Sequence, residues 1–289
     1  MARSVLRYMV VAAALLGSVG TAYAGRGSSP GAIQGAIASG SVEAIESELE
    51  RAEGLVCHVC VQLVRPLIDH EDARVRRVAA WWLARRGLRP ELSLEMVQRL
   101  SAPDSRLARN AADVLGQIRA YKSIPALGAA LNNPVFNTEA RAAMARALGA
   151  IGDKEGQAAL MVAMKAPEGD VRAAALEGVR QLRGYDDPAV GLAPLDDADE
   201  NVRVQAIYTI AMTRSMAARS PALDALARKL AQLVATDASE LVRKKAAWAL
   251  GEIGASASVA GAALERAATS DASPFVKSLA TAALAKLSR

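Results

Sequence analysis

The chain has 289 residues, of which 52% are hydrophobic, so it is long enough to bury a large core in one long domain or two small ones. Only 3% are aromatic and alanine supplies much of the apolar content, which favours closely packed helices and disfavours a β-sandwich. The formal net charge of +5 is mild and its arginines are spread along the chain, which argues against nucleic acid as a partner.

The N-terminus has the features of a secretory signal peptide over residues 1–24. Arg3 and Arg7 give a basic start, residues 9–19 form an uncharged apolar segment, and an Ala-x-Ala cleavage pattern ends at Ala24. The apolar segment is shorter than the roughly 20 residues that a membrane-spanning helix needs, although an uncleaved anchor is the alternative. We therefore expect a periplasmic or secreted protein with no stable membrane insertion after cleavage.

The mature chain is predicted to begin with a flexible segment and a cap. Residues 25–40 are interpreted as a flexible lead-in, and residues 41–62 as an N-terminal helical cap. The helices of the cap are expected around Val42–Ala52 and Leu55–Ile68. A repetitive region then fills residues 63–289.

One sequence pattern recurs seven times in this region. It is an apolar residue, usually followed by Arg or Lys, then a small residue, and an apolar residue eight places after the first. The first residues of the copies, called anchors below, are Val75, Leu107, Ala140, Val171, Val202, Val242 and Val276. Apolar residues at intervals of four predict one face of a helix, so the same amphipathic helix is expected seven times.

The ends of these helices are also encoded locally. Three residues before the anchors stand Asp72, Asp104, Asn137, Glu168, Asp199, Ser239 and Ser273, and six of the seven are good helix N-caps. Gly87, Gly152 and Gly254 follow three of the helices, where glycine permits a left-handed C-cap.

A shorter amphipathic segment precedes the capped helices. Examples are Ile124–Leu131, Ala158–Met164 and Leu226–Val234. Each repeat is therefore predicted to be helix, turn, helix, and stacking of neighbours buries the apolar faces in an α-solenoid. The longest anchor spacing predicts an inserted loop at Thr213–Pro221.

The segments IPALGAAL and EARAAMARALGAIGD, within residues 124–153, and VRKKAAWALGEIG, residues 242–254, resemble HEAT repeats. The likeness is closest to the short HEAT-like repeats of the phycobilisome-lyase type, and it covers roughly residues 63–287. The resemblance implies an all-α fold, an α-solenoid of about seven HEAT-like helix-turn-helix repeats with an N-terminal helical cap. It says much about fold and little about function.

Few residues suit catalysis or metal binding. Cys57 and Cys60 form a CHVC segment, which lacks the histidine position of a c-type haem site and supplies fewer than the four ligands of structural zinc. A local Cys57–Cys60 disulfide is expected in an oxidising compartment, with reduced buried cysteines or a redox pair as alternatives. The deoxyhypusine hydroxylases, which are HEAT-repeat enzymes, use several His-Glu pairs, but this chain has only His70-Glu71. Residues 196–201 lack the glycine and final glutamate of a calcium loop.

A basic residue follows most of the anchors directly. These residues are predicted to pair with turn carboxylates of a neighbouring repeat, with ligand binding as the alternative. They are Arg76, Arg141, Arg172, Arg203, Arg243 and Lys277.

Positions two and six places after an anchor lie opposite the core and line the concave side in HEAT solenoids. The candidate partner-binding residues at these positions are Arg77, Trp81, Arg109, Arg146, Tyr208, Lys244 and Trp248. The aromatic ones stand where water is expected, unless their rings fold into the seam between repeats.

We therefore expect a non-catalytic periplasmic scaffold or adaptor that holds a protein or peptide partner on its concave face, without metal or cofactor. The alternative is a thiol-redox or lyase/chaperone-like component that uses the Cys57–Cys60 segment. The lyase version conflicts with an export signal, because bilin attachment is cytoplasmic.

Overall fold

The computed structural model describes residues 27–213 and 221–288, and every regular element in these ranges is helical. The chain divides into two compact units, Met1–Arg86 and Gly87–Arg289, rather than at residue 62. The predicted signal peptide lies outside the described residues, as does most of the predicted loop Thr213–Pro221.

The first unit contains four α-helices within its described residues, 27–86. They are α1 (Pro30–Ala38), α2 (Val42–Arg51), α3 (His58–Val64) and α4 (Ala73–Leu83), with a 3-10 helix at Arg65–Asp69 and a π-helical turn at Ala84–Leu88 after α4. The prediction of a flexible segment at residues 25–40 is wrong for its described part. Ser29 caps α1 by accepting a hydrogen bond from the Ala32 N–H, and Ile33 is 1% exposed. Burial of the Ile33 side chain away from water stabilises α1, so this part of the segment is ordered.

The predicted helix over Leu55–Ile68 begins later and changes type. Cys57 has extended backbone and is the N-cap of α3, with its sulfur accepting the Cys60 N–H at 3.1 Å. At the other end, the α-helix gives way to the 3-10 helix at Arg65. Pro66 has no N–H to donate to the carbonyl four residues earlier, which explains the change.

The described part of the second unit is a series of α-helices. They are α5 (Arg89–Arg99), α6 (Ser105–Gln117), α7 (Ile124–Leu131), α8 (Thr138–Ile151), α9 (Gln157–Ala163), α10 (Gly169–Gln181), α11 (Glu200–Met212), α12 (Pro221–Thr236), α13 (Glu240–Glu252), α14 (Ala257–Ser270) and α15 (Pro274–Leu287). Short 3-10 helices lie at Tyr121–Ser123, Lys154–Gly156, Pro188–Gly191 and Ala193–Asp196. The last two replace the first helix of their repeat, where two prolines interrupt the chain.

All seven predicted capped helices are present, as α4, α6, α8, α10, α11, α13 and α15, and are called the B helices below. Their predicted N-caps are confirmed: six accept a backbone N–H, and only Glu168 does not. The glycines predicted to follow the helices also have positive φ, for example 75° at Gly152. N-cap residues and C-terminal glycines act on backbone groups only a few residues away, so the sequence predicts the helix ends directly.

The B helices of the second unit approach each other closely through small residues. A Cβ added to Gly149 of α8 would lie 2.7 Å from the Gly178 Cα atom of α10, and one added to Gly116 would lie 2.9 Å from the Ala147 Cα atom. Each of these glycines stands nine places after its anchor and faces a small residue seven places after the next anchor. The alanine-rich, aromatic-poor composition therefore allows the helix backbones to lie close together.

Replacing Gly149 with alanine is expected to lower the free energy of unfolding by about 1–3 kcal/mol, because the methyl group overlaps a backbone atom. Gly261→Ala on α14 is the matched control, since its added Cβ meets no atom within 4 Å. It should stabilise the chain by roughly 0.5–1 kcal/mol through helix propensity alone. Urea denaturation measures both, and a Gly149→Ala variant as stable as the native chain would contradict the close helix contact.

Candidate functional site: the B-helix face

The B-helix face is defined here as the side of the second unit's B helices formed by the residues two and six places after each anchor. Five predicted partner-binding residues lie on its helices: Arg109 on α6, Arg146 on α8, Tyr208 on α11, and Lys244 and Trp248 on α13. Arg146 is exposed and the other four are partly buried. Arg77 and Trp81 belong to α4 of the first unit, where Arg77 is exposed and Trp81 is partly buried.

A cavity of about 320 Å³ lies on this face between α8, α10 and α11. Its lining includes Arg146 and the three carboxylates of Glu139, Asp170 and Glu177. Arg109 contacts one residue of this lining, because its Nη1 atom lies 2.7 Å from the Glu139 Oε1 atom. The structure thus brings two predicted residues to one cavity, in which carboxylates outnumber cations.

Tyr208 and Trp248 form an aromatic pair between α11 and α13. Their ring centroids are 5.7 Å apart and the ring planes are inclined by 60°. Both rings also pack against the hydrophobic core, so they face water less than the sequence predicts. The seam between repeats holds part of each ring, and the remaining part is open on the B-helix face.

Sequence reasoning missed two cations beside Tyr208 and one aromatic residue beside Lys244. Lys245 Nζ lies 4.8 Å from the Tyr208 ring centroid, and the Arg180 guanidinium carbon lies 5.7 Å from the same centroid. Phe275 of α15 lies 5.6 Å from Lys244 Nζ and is 65% exposed. A periodicity that considers only two positions in each helix does not find side chains that reach across from neighbouring helices.

In the first unit, the predicted core position of Trp82 is confirmed, and its neighbour Trp81 has a different environment. Trp82 is fully buried and its Nε1 atom donates to the Ala52 carbonyl at 3.1 Å. The Arg85 guanidinium carbon lies 5.1 Å from a Trp81 ring centroid. Trp81 therefore remains a candidate for binding, whereas Trp82 holds α4 to the end of α2.

Cys57 and Cys60 are joined in a disulfide across the first turn of α3, with an S–S distance of 2.10 Å and a Cα–Cα distance of 5.2 Å. Cys60 is fully buried and Cys57 partly buried. The segment that leads into Cys57 is fixed by Arg86, whose Nη2 atom donates to the Ala52 and Leu55 carbonyls at 2.8 and 2.9 Å. Burial lowers the pKa of Arg86 to about 10.

Four of the six basic residues predicted to pair with a neighbouring repeat, Arg141, Arg172, Arg203 and Arg243, form a ladder between repeats, whereas Arg76 donates to the His70 and Glu71 carbonyls of its own turn. Arg172 donates from Nε and Nη2 to the Asp197 carboxylate at 2.8 and 2.7 Å, and from Nη1 to the carbonyls of Ala166 and Pro167. Arg203 binds Asp237 and Arg243 binds Asp271 in the same bidentate manner. Arg141 binds Glu168, the one N-cap residue whose side chain does not cap its helix.

Each of these arginines thus binds a main-chain carbonyl group that precedes its own helix and a carboxylate of the next repeat. The guanidinium hydrogen bonds lower the pKa of the Asp197 carboxyl and of the Asp271 carboxyl, against the opposing effect of burial. Planar bidentate pairs of this kind are stronger than single neutral hydrogen bonds. The ladder arginines are therefore structural residues, in contrast to Arg146 on the B-helix face.

A profile for the family of HEAT repeats matches residues 92–180 and 188–285. The chain belongs to the HEAT-repeat family. No curated protein sequence matches it. No helix within residues 27–213 and 221–288 is long and apolar enough to cross a membrane, and no three metal-ligating side chains cluster in these ranges.

Solved structures similar to this HEAT-repeat chain share its fold at low sequence identity. Kap95p, in a structure with RanGDP, has a TM-score of 0.58 and 12% identity, and the match covers 88% of this chain and 38% of that one. YibA of E. coli has a TM-score of 0.55 and 17% identity, covering 85% and 87% of the two chains. The phycocyanin lyase complex of CpcE and CpcF from Nostoc sp. has a TM-score of 0.43 and 21% identity, covering 78% and 94%.

The ladder of the HEAT repeats makes a prediction for acid stability. Asp197 and Asp271 have lower pKa values in the folded chain than the value of about 3.9 for an unfolded aspartate. Their contribution to stability is therefore present above about pH 4 and is lost as the pH falls through the folded pKa. Asp271→Asn should lower the free energy of unfolding at neutral pH by about 1–3 kcal/mol and reduce its dependence on acid pH.

Urea denaturation between neutral and acid pH measures this effect. Glu265→Gln on α14 is the control, since Glu265 is an exposed carboxyl and its removal should change stability by less than about 0.5 kcal/mol. Equal pH dependence in the native chain and the Asp271→Asn variant would contradict the role of the ladder.

Trp248 and Leu250 provide a test of the aromatic pair, because they lie two residues apart on α13. Leu250 is fully buried, so Leu250→Ala should cost about 2–5 kcal/mol. Trp248→Ala removes the ring contact with Tyr208 and should cost only about 1–2 kcal/mol. Thermal unfolding compares the two variants. If Trp248→Ala is as destabilising as Leu250→Ala, the ring is core packing and loses its place among the binding residues.

Proposed function

We propose that this HEAT-repeat chain is a non-catalytic scaffold or adaptor that acts in the periplasm or after secretion. It holds a protein or peptide partner against the B-helix face, which is the concave side in HEAT solenoids. The residues assigned to the partner in the second unit are Arg109, Arg146, Tyr208, Lys244 and Trp248, and those in the first unit are Arg77 and Trp81.

The observation that carries the proposal is the aromatic pair Tyr208–Trp248 with cations beside it, on a helix face that also has exposed residues such as Arg146 and buried ones such as Val204. Trp, Tyr and Arg are the residues enriched in the energetic centres of protein interfaces. A solvated helix face needs charged residues but has no need of aromatic ones. The neighbouring cavity adds a concave surface to the same face, with exposed Arg146 in its lining.

The comparison with Kap95p supports the same class of function. Kap95p has the same fold, at 12% sequence identity, and its structure contains RanGDP as a bound protein. Repeats that stack side by side create long surfaces suited to holding a partner along several repeats. The present chain has such a surface along α6, α8, α10, α11, α13 and α15.

Export is supported by two features of the N-terminal part. Residues 1–24 have the pattern of a signal peptide. The Cys57–Cys60 disulfide is also of the kind that persists in oxidising compartments. In this proposal the disulfide is structural, closing the first turn of α3 beside the segment that Arg86 holds, and not the centre of a redox or lyase reaction.

Site-specific cross-linking tests the proposal. A photo-reactive amino acid at position 146, exposed on α8, should give a covalent adduct with a protein in the periplasmic fraction. The same amino acid at position 158, exposed on α9 and outside the B-helix face, is the matched control and should give none. Adducts from position 158 in equal yield, or only from it, would contradict binding on the B-helix face.

A further inference from the structure

Two lysines on α13 are positioned by aromatic rings of the neighbouring B helices. Lys245 Nζ lies 4.8 Å from the Tyr208 ring of α11, and Lys244 Nζ lies 5.6 Å from the Phe275 ring of α15. Cations are attracted to the faces of aromatic rings, and the attraction leaves the outer side of the ammonium group open to a ligand. The ammonium groups of both lysines therefore lie on the B-helix face at α13, next to the rings.

Among the carboxylates of this region, Glu240 is exposed one turn before Lys244 on α13, whereas two others are bound by other cations. Glu252 of the same helix binds Lys286 at 2.6 Å, and Asp271 holds the ladder residue Arg243. In the part of the chain that the structure describes, neither Lys244 nor Lys245 forms an ion pair. Lys244 and Lys245 with Glu240 consequently leave a net positive charge, and neither lysine is neutralised by an ion pair within the described residues.

Arg180 of α10 adds a third cation next to the Tyr208 ring, and the Glu177 carboxylate of the same helix acts on it electrostatically. Its Nη1 atom donates to the neutral Gln205 side chain at 3.1 Å, and its guanidinium carbon lies 5.7 Å from the Tyr208 ring centroid. Burial lowers the pKa of Arg180. A partly desolvated cation whose hydrogen-bond partner is neutral gains from the approach of an anion.

Large apolar side chains lie among these cations. Phe275 is 65% exposed and Leu241 is 37% exposed, and both stand one place before their anchors, at the start of α15 and α13. Leu241 stands three residues before Lys244 on the same helix, and the Phe275 ring borders Lys244. A ligand that only supplied negative charge would leave these apolar surfaces in contact with water.

The other part of the face has the opposite charge. The cavity between α8, α10 and α11 is lined by Glu139, Asp170 and Glu177 with Arg146, and Arg109 pairs with Glu139. The charge distribution therefore favours an acidic segment over α13 rather than in this cavity, and the contact with Arg146 belongs to another part of the same partner.

We propose that the surface formed by Tyr208, Leu241, Lys244, Lys245, Trp248 and Phe275, called the basic aromatic surface, binds an acidic protein segment that also carries large apolar side chains. Its carboxylates bind the two lysines and Arg180, and its apolar side chains pack on Phe275, Leu241 and the two partly open rings. This inference rests on the proposed function, since it gives the chemistry of the partner held on the B-helix face.

Fluorescence anisotropy with two short labelled peptides tests the inference on the full mature chain. One peptide contains Glu, Leu and Phe, and the other has Lys in place of every Glu. The acidic peptide should bind and the basic peptide should not, and binding should weaken when the ionic strength is raised from about 0.05 M to about 0.5 M. Equal binding of both peptides would overturn the inference, as would equal or tighter binding of a single-stranded DNA oligonucleotide, because the surface would then recognise negative charge alone.

Substitutions test whether the acidic peptide binds at the basic aromatic surface. The double substitution Lys244→Glu and Lys245→Glu should weaken the acidic peptide at least about tenfold, whereas Arg266→Glu, an exposed residue of α14, should change it less than about twofold. Phe275→Ser changes a mostly exposed side chain and should also weaken binding, so a folding defect in the lysine variant would not end the test. Unchanged affinity in both the lysine and the Phe275 variants would overturn the inference.

The outcome is separable from that of the proposed function. If the acidic peptide does not bind while adducts from position 146 are found, the partner chemistry is wrong and the scaffold function stands. If adducts from position 146 are absent as well, both proposals fail.

Discussion

The bidentate contact between an arginine of one repeat and an aspartate in the turn of the next is the interaction on which the second unit depends. Arg172–Asp197, Arg203–Asp237 and Arg243–Asp271 share one geometry, in which the guanidinium also binds two carbonyls of its own turn. A planar group with five N–H donors can bind a carboxylate and a turn at once, which lysine cannot do. Each contact therefore fixes the position of a B helix relative to the turn that follows it.

The same B helices divide their surface among three tasks. The residue after the anchor builds the ladder, positions seven and nine places after it allow close approach of neighbouring helices, and positions two and six form the B-helix face. Gly149 against Gly178 shows the second task, and Arg146 shows the third. Because α8 and α10 approach so closely, side chains from adjacent repeats converge on one cavity instead of remaining separate. The concave cavity on the B-helix face therefore follows from the packing of neighbouring B helices.

The charge on the B-helix face is not uniform, and the reason lies in which residues are already bound. Acidic residues of the α11–α15 region, such as Asp237 and Asp271, are taken up by the ladder, and Glu252 is held by Lys286. Lys244 and Lys245 are left next to aromatic rings. The ladder thus affects the charge of this region, since Asp237 and Asp271 are paired with ladder arginines. The first unit is held differently, through the buried Trp82, the carbonyl contacts of Arg86 and the Cys57–Cys60 disulfide.

The sequence alone determined the seven B helices, their caps and the buried position of Trp82, because N-caps, glycine ends and helical periodicity act over a few residues. It also predicted that the ladder residues pair with turn carboxylates. Only the tertiary structure decided that α1 is ordered by the burial of Ile33, that Cys57 lies before α3 rather than inside it, and that Tyr208 and Trp248 meet across two helices. The tertiary structure also placed Lys245 beside Tyr208 and Phe275 beside Lys244, and each of these pairs joins residues about one repeat apart in the chain. Contacts over that distance depend on how closely the helices pack, which a pattern within one helix does not encode.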